Sequence, residues 1–96
     1  MKMKLTDENK KKLAAWGYRY PAELAQIEAA MSEKKTNYTI VKGQREREIK
    51  RSEALQLLGE EIFLSGIARS AFHFTAARET ADGKTTILFD SSKLLR

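Results

Sequence analysis

Cysteine is absent from the sequence, and proline and histidine each occur only once. Without cysteine the chain cannot form disulfides, thiolate nucleophiles or cysteine-ligated metal sites. The single histidine, His73, has no second histidine near it and is a poor start for a metal site. It lies between two phenylalanines and is more simply explained as a residue on a polar face. We therefore expect neither a metal nor a cofactor.

Long apolar runs and glycine-rich phosphate loops are also missing. No apolar run approaches the roughly 20 residues that a membrane helix needs, and no apolar segment of a signal peptide follows the N-terminal lysines. The five glycines are scattered at turn positions. Glu60 and Glu61 are adjacent on a predicted helix, so their carboxylates diverge. These absences predict a cytoplasmic protein that is not an enzyme.

Positive charge is plentiful, and it is clustered. The 96 residues fit one domain, residues 1–96, and carry a net charge of +5. Residues 34–51 alone contain seven cations and two glutamates. Such clusters favour an anionic partner, although a solvated lysine-rich surface is the simpler alternative. We expect nucleic acid or an acidic protein surface as the partner, and no membrane; the sequence leaves the oligomeric state open.

Two helices are predicted in the first third of the chain. Thr6, followed by two acidic residues, is a typical helix start, and Gly17 is a stop. The first helix therefore spans about residues 6–16. Pro21 suits a first helical position, and apolar residues then recur at spacings of three and four. The second helix spans about residues 21–33.

Three aromatic residues, Trp16, Tyr18 and Tyr20, surround the junction between these helices. Aromatic rings near cations can stack on nucleic-acid bases. A junction of two helices also buries such rings, and burial is the favoured interpretation here.

A hairpin is predicted next. Asn37–Val41 is rich in β-forming residues, Lys42-Gly43-Gln44 is a turn, and the chain from Arg45 to Lys50 can return antiparallel. Ile49 is the only apolar residue of the returning segment, which predicts an exposed edge strand. The alternative is that the chain is helical from Arg45 onward.

Two more helices follow the basic segment. Ser52 is predicted to cap a short helix that ends at Gly59. A second helix follows over about residues 60–71, where Ser65-Gly66 interrupts the pattern. A glycine there indicates either close packing or a break between two short helices.

The last predicted element is a second hairpin. Asp82-Gly83 is the residue pair that a type I′ two-residue loop needs. Counting outward from it pairs Arg78 with Ile87 and Ala76 with Phe89, and Phe74, Ala76, Ile87 and Phe89 form the core face. The predicted order is α-α-β-β-α-α-β-β. We expect an α+β fold, in which the two hairpins share one antiparallel sheet and helices pack on one face.

Residues 52–90 resemble the small winged helix-turn-helix proteins of the excisionase and MerR type. Ser-Glu-Ala-Leu-Gln-Leu-Leu-Gly at residues 52–59 is similar to their first helix and turn, and residues 82–90 are similar to their wing. The resemblance implies that the second helix enters the major groove and that the wing touches the DNA backbone. Glu60 and Glu61 depart from the family pattern, because acidic side chains there oppose phosphate.

The chain as a whole resembles, in its general style, the small proteins of phages and integrative elements of Gram-positive bacteria. This resemblance implies a second class of function, a protein that binds another protein, including inhibitors of the anti-CRISPR kind.

Two functional hypotheses follow. The first is a nucleic-acid-binding accessory protein that contacts phosphates through a basic hairpin. Its contact residues are Lys42, Arg45, Arg47, Lys50 and Arg51, with Arg69 and Arg78 as secondary contacts. For Arg69 or Arg78 taken alone, an ion pair with Glu61 or Glu79 is the simpler explanation.

The second hypothesis is a protein-interaction module with no nucleic-acid affinity of its own. Its partner adds a strand to the edge at residues 45–50 or docks on Phe63, Leu94 and Leu95.

Overall fold

A computed structural model of the chain describes residues 5–32 and 34–95. Its elements are α1 (Asp7–Ala15), α2 (Pro21–Ala30), β1 (Asn37–Lys42), β2 (Arg45–Ile49), α3 (Arg51–Leu58), α4 (Glu60–His73), β3 (Thr75–Glu79), β4 (Thr86–Asp90) and a final 3₁₀ turn (Ser92–Leu95). The α+β class and the order of helices and strands are as predicted.

The four strands form one antiparallel sheet in the order β2-β1-β4-β3. The two hairpins meet through pairing of β1 with β4, and β2 and β3 are the edges. One row of side chains crosses the whole sheet and is buried: Ile49, Tyr38, Phe89 and Ala76. The helices cover the face that carries this row, and the opposite face is open to solvent.

The contact between α4 and the sheet centres on a glycine. Gly66 lies directly over the Phe89 ring, and a Cβ atom at this glycine would lie 2.5–2.9 Å from three ring atoms. Tyr38 and Phe63 complete the cluster, with ring centroids 5.5–5.7 Å from one another and from Phe89. Of the two interpretations of Gly66, close packing is therefore confirmed, because α4 is continuous through this position.

The basic segment is a strand up to Ile49, so the alternative of a helix from Arg45 is wrong. The predicted cap at Ser52 is also wrong. Lys50 is still extended, with φ −83° and ψ 157°. It takes the N-cap position because α3 begins at Arg51, two residues after Ile49, which ends β2 in the buried row. The second helix ends at Ala30, so its predicted extension over residues 31 and 32 is wrong, and residue 33 lies outside the described residues.

The loop of the second hairpin differs from the prediction, but its register does not. Gly83 has φ 70°, while Asp82 does not have the positive φ that a type I′ turn requires. Bonds from Gly83 N to Thr80 O and from Thr80 N to Thr85 O, both 2.9 Å, close a longer loop over residues 81–84. The predicted two-residue loop and the observed loop over residues 81–84 are both centred on the peptide bond between Asp82 and Gly83. The predicted strand pairs are therefore retained.

Phe74 does not join the core face, contrary to the prediction. It ends α4 with φ 68° and is 43% exposed, because β3 begins only at Thr75.

Replacing Gly66 by alanine is expected to lower the free energy of unfolding by about 1–3 kcal/mol, because the methyl group overlaps the Phe89 ring. This net loss already allows for the roughly 1 kcal/mol by which alanine is favoured over glycine in a helix, because a Cβ atom 2.5–2.9 Å from the ring cannot fit unless the ring or the helix moves. Urea denaturation followed by circular dichroism measures the change. In a Phe89→Leu background the same substitution should cost less, and a Gly66→Ala protein as stable as the parent would contradict the packing argument.

Candidate nucleic-acid interface

The alternating sequence of β2 separates its charges between the two faces of the sheet. Successive side chains of a strand point to opposite faces. Ile49 is buried beneath the helices, so Arg45 and Arg47 share its face, while Glu46 and Glu48 are on the open face. The Arg-Glu-Arg-Glu pattern therefore produces one cationic and one anionic side on a single exposed strand.

Three cations meet near the turn of the first hairpin. Lys42 is directly opposite Arg45 across the two strands, and Arg47 is two residues further along the same face, opposite Ile40. These residues, together with Glu46 at the strand edge, line an open depression of about 450 Å³. We call Lys42, Arg45 and Arg47 the basic hairpin face.

Two of these cations make no direct contact with an anionic group in the described part of the chain, although Asp82 is close enough to Lys42 for their charges to interact. The side chains of Lys42 and Arg45 make no hydrogen bond or ion pair with any residue in the described part of the chain. Like charges at directly paired positions destabilise a sheet. Arg47 is paired with Glu53 at 3.0 Å, but both side chains are exposed, so the pair adds little stability and leaves the guanidinium accessible.

The β3–β4 loop lies beside this turn, because β1 pairs with β4. The Asp82 carboxylate accepts hydrogen bonds from Thr80 Oγ1 at 2.6 Å and from Lys84 N at 2.9 Å. These bonds, and then the nearby charge of Lys42, lower the pKa of Asp82. Asp82 therefore remains a fixed negative charge at the turn end, held mainly by its own loop.

The other predicted contact residues lie elsewhere. Arg78 is on the same face and in the same cross-strand row as Arg47, but three strand spacings away, about 14 Å. Lys50 and Arg51 lie beyond the other end of β2, and Arg69 is exposed on α4. The structure thus brings together three of the seven predicted cations.

Arg51 and Arg78 hold elements of the fold together. Arg51 Nη1 donates to Met31 O at 2.5 Å, which ties the start of α3 to the end of α2. Arg78 Nε donates to Ser65 Oγ at 3.0 Å and ties β3 to α4. The expected partner of Arg78, Glu61 or Glu79, is therefore wrong, although a structural role is right.

The open face of the sheet is acidic. Its strand positions carry four carboxylates and no lysine or arginine, and the four are Glu46, Glu48, Glu79 and Asp90. Smaller and apolar side chains lie between them, including Leu88, which is 37% exposed. This face repels phosphate, so any contact with nucleic acid falls on the helix-covered side or at the ends of the sheet.

Burial of the junction aromatics is wrong for two of the three. Tyr20 is 71% exposed and Trp16 is 38% exposed. Only Tyr18 packs inward, where its ring stacks on Phe72 with centroids 5.6 Å apart. The half-buried Tyr18 and the fully buried Leu13 fill the junction, which leaves the other two rings at the surface.

A buried chain of hydroxyl groups has a structural role. Ser91 Oγ lies 2.8 Å from both Thr36 Oγ1 and Ser70 Oγ, and the three residues are almost wholly buried. Thr36 also donates to Ala30 O and Ser70 to Ile67 O. The chain links α2, α4 and the end of β4, and its hydroxyls are satisfied within the protein.

Neither a metal cluster nor a membrane span is found in the described part of the chain. Across residues 5–32 and 34–95, no three acidic or histidine side chains converge as metal ligands do. Over the same ranges, no helix has the length and apolar character needed to cross a membrane. No protein-family model, curated protein or solved structure matches this chain.

Replacing Thr80 by valine is expected to raise the pKa of Asp82, because the hydroxyl bond is the largest cause of its lowering. NMR titration of the side-chain carboxyl carbon measures this pKa. The lowered folded-state value means that Asp82 stabilises the fold above its unfolded pKa and that this contribution is lost as pH falls through the folded pKa.

Asp90 is the internal control in the same spectra. Hydrogen bonds from Ser92 lower the pKa of Asp90, so the Thr80→Val change should leave its titration in place. An Asp82 titration that does not move would contradict the loop geometry.

Proposed function

We propose that the protein is a small, non-enzymatic accessory protein that binds nucleic acid and contacts phosphates through the basic hairpin face. The observation that carries the proposal is the position of Lys42 in β1 directly opposite Arg45 in β2. The glutamates of β2 lie on the other face of the sheet. A cytoplasmic location is part of the proposal, and it is supported by the absence of the disulfides on which small secreted domains commonly depend.

Phosphates would relieve the repulsion within this face. Lys42 and Arg45 are like charges held at paired positions, and an anion bound between them reduces the repulsion between these two cations. A guanidinium presents a planar fork of donors that matches phosphate oxygens, and Arg45 and Arg47 supply two such forks. Neutralising about three phosphates predicts a slope near −2.7 for the logarithm of affinity against that of salt on duplex DNA.

The remaining predicted contacts have different parts in this proposal. Arg51 and Arg78 donate to groups within the fold and serve mainly to hold it together. Lys50 and Arg69 are exposed but lie away from the hairpin turn. We propose them as outlying contacts, which a nucleic acid held at the basic hairpin face reaches only if it extends beyond that face.

A second candidate function is a protein-interaction module, and the acidic open face supports it. Carboxylates around Leu88 suit a partner that is basic and partly apolar. The exposed edge of β2 also offers main-chain groups for strand addition. Phe63 is only 3% exposed, so its expected role as a docking residue is wrong. Leu94 is half-buried against the core, and the side chain of Leu95 lies outside the described residues.

The double substitution Arg45→Gln, Arg47→Gln is expected to weaken binding to duplex DNA on the order of tenfold and to reduce the salt slope by about 1.8, because two phosphate contacts are lost. Fluorescence anisotropy of a labelled random duplex, measured over a range of salt concentrations, provides both quantities.

The matched control removes the same charge elsewhere. Lys34→Gln with Lys35→Gln lowers the net charge equally, in the turn that precedes β1 and away from the basic hairpin face. Its affinity should fall much less. Equal losses in the two variants would mean that overall charge, and not the hairpin, governs binding. No binding by the parent protein at low salt would overturn the proposal and favour a protein partner.

A further inference from the structure

A group of exposed aromatic rings lies at the end of the molecule opposite the hairpin turns. Trp16 and Tyr20 are exposed on the α1–α2 junction, and Phe74 is exposed where α4 meets β3. The Tyr18–Phe72 stack joins the two segments. We call Trp16, Tyr20 and Phe74, with the stack between them, the aromatic end.

The main chain beneath these rings is fixed. The Glu23 carboxylate accepts from the backbone N–H groups of Arg19 and Tyr20, both at 3.1 Å, so the junction is closed although the Tyr20 ring projects into solvent. Phe74 has φ 68°, a region that non-glycine residues rarely occupy, and its carbonyl accepts from Ser91 N at 2.7 Å. A rigid backbone that holds exposed rings lowers the entropy lost when a ligand stacks on them.

Cations accompany the rings. Arg19 lies between Tyr18 and Tyr20, and its Nε donates to Ala14 O at 3.3 Å. Arg69 is exposed on α4, one turn before Phe72, so the two share one side of the helix. Exposed rings and arginines on the same two segments supply the groups on which unpaired bases stack and by which phosphates are neutralised.

We infer that the aromatic end binds single-stranded nucleic acid, with bases stacked on Tyr20, Trp16 and Phe74 and with phosphates beside Arg19 and Arg69. In a duplex the faces of the bases are already stacked within the helix, so these rings select unpaired strands. The inference rests on the proposed function for the class of ligand. It does not rest on the basic hairpin face, since Thr75 and the hairpin loop lie at opposite ends of β3.

Trp16 is the only tryptophan of the chain, so its fluorescence reports directly on this surface. The full-length protein is titrated with an oligothymidylate of about ten nucleotides, within the range of site sizes known for such surfaces. Base stacking should quench Trp16, and a duplex of equal length should quench it much less. Replacing Tyr20 by alanine should weaken single-strand binding on the order of tenfold, while Tyr20→Phe keeps the ring and should bind as the parent does.

Two further variants separate this inference from the proposed function. Leu88→Ala removes an exposed apolar side chain on the open sheet face and should leave single-strand binding unchanged. Arg45→Gln with Arg47→Gln should weaken duplex binding but leave the quenching of Trp16 by oligothymidylate in place. Circular dichroism melting confirms that each variant is folded, which exposed Tyr20 and Leu88 positions allow.

Each outcome decides the question. Quenching of Trp16 together with a loss specific to Tyr20→Ala supports the inference. Duplex binding without Trp16 quenching, with Tyr20→Ala equal to Leu88→Ala, overturns it and leaves the basic hairpin face as the nucleic-acid site. No binding of either nucleic acid at low salt overturns both proposals, and these rings would then be candidates for contact with a protein.

Discussion

The contact between Gly66 and Phe89 is the constraint on which the rest of the fold depends. Because Gly66 has no side chain, α4 lies close over the centre of the sheet, where the Phe89 ring occupies the space of the missing Cβ. Phe89 belongs to β4, which pairs on one side with β1 and on the other with β3. One helix–sheet contact therefore fixes the positions of both hairpins relative to α4, and α1, α2 and α3 then pack around that helix.

Much of the fold could be predicted from local patterns, and the errors lie where local and distant forces compete. The Asp82-Gly83 pair located the second hairpin correctly, although the loop is longer than a type I′ turn, because register depends only on where the loop is centred. Ser52 has the chemistry of a helix cap, but the buried row that ends at Ile49 determines where β2 stops and α3 starts. The pairing of β1 with β4 depends on packing beneath α4, and no local signal specifies it.

The candidate site shows the same contrast between features that follow from local sequence patterns and features that depend on contacts between distant residues. Clustered cations in residues 34–51 predicted a basic segment, and the alternation within β2 already contained the separation of arginines from glutamates. The bond from Arg78 to Ser65 joins β3 to α4, and the bond from Arg51 to Met31 joins helices 20 residues apart, so neither follows from a sequence pattern. The exposure of Tyr20 was missed for a similar reason, because Tyr18 and Leu13 fill the junction instead.

The separation of charge between the two faces of the sheet gives the molecule an electric dipole across the sheet. At the strand positions, cations on the helix-covered side and carboxylates on the open side create a field that runs through the sheet from one face to the other. A polyanion at a distance beyond contact exerts a torque on such a charge distribution and turns the molecule while it is still diffusing. A protein with the same net charge spread evenly over its surface would collide in random orientations, whereas this one would approach a polyanion with its cationic side turned toward it.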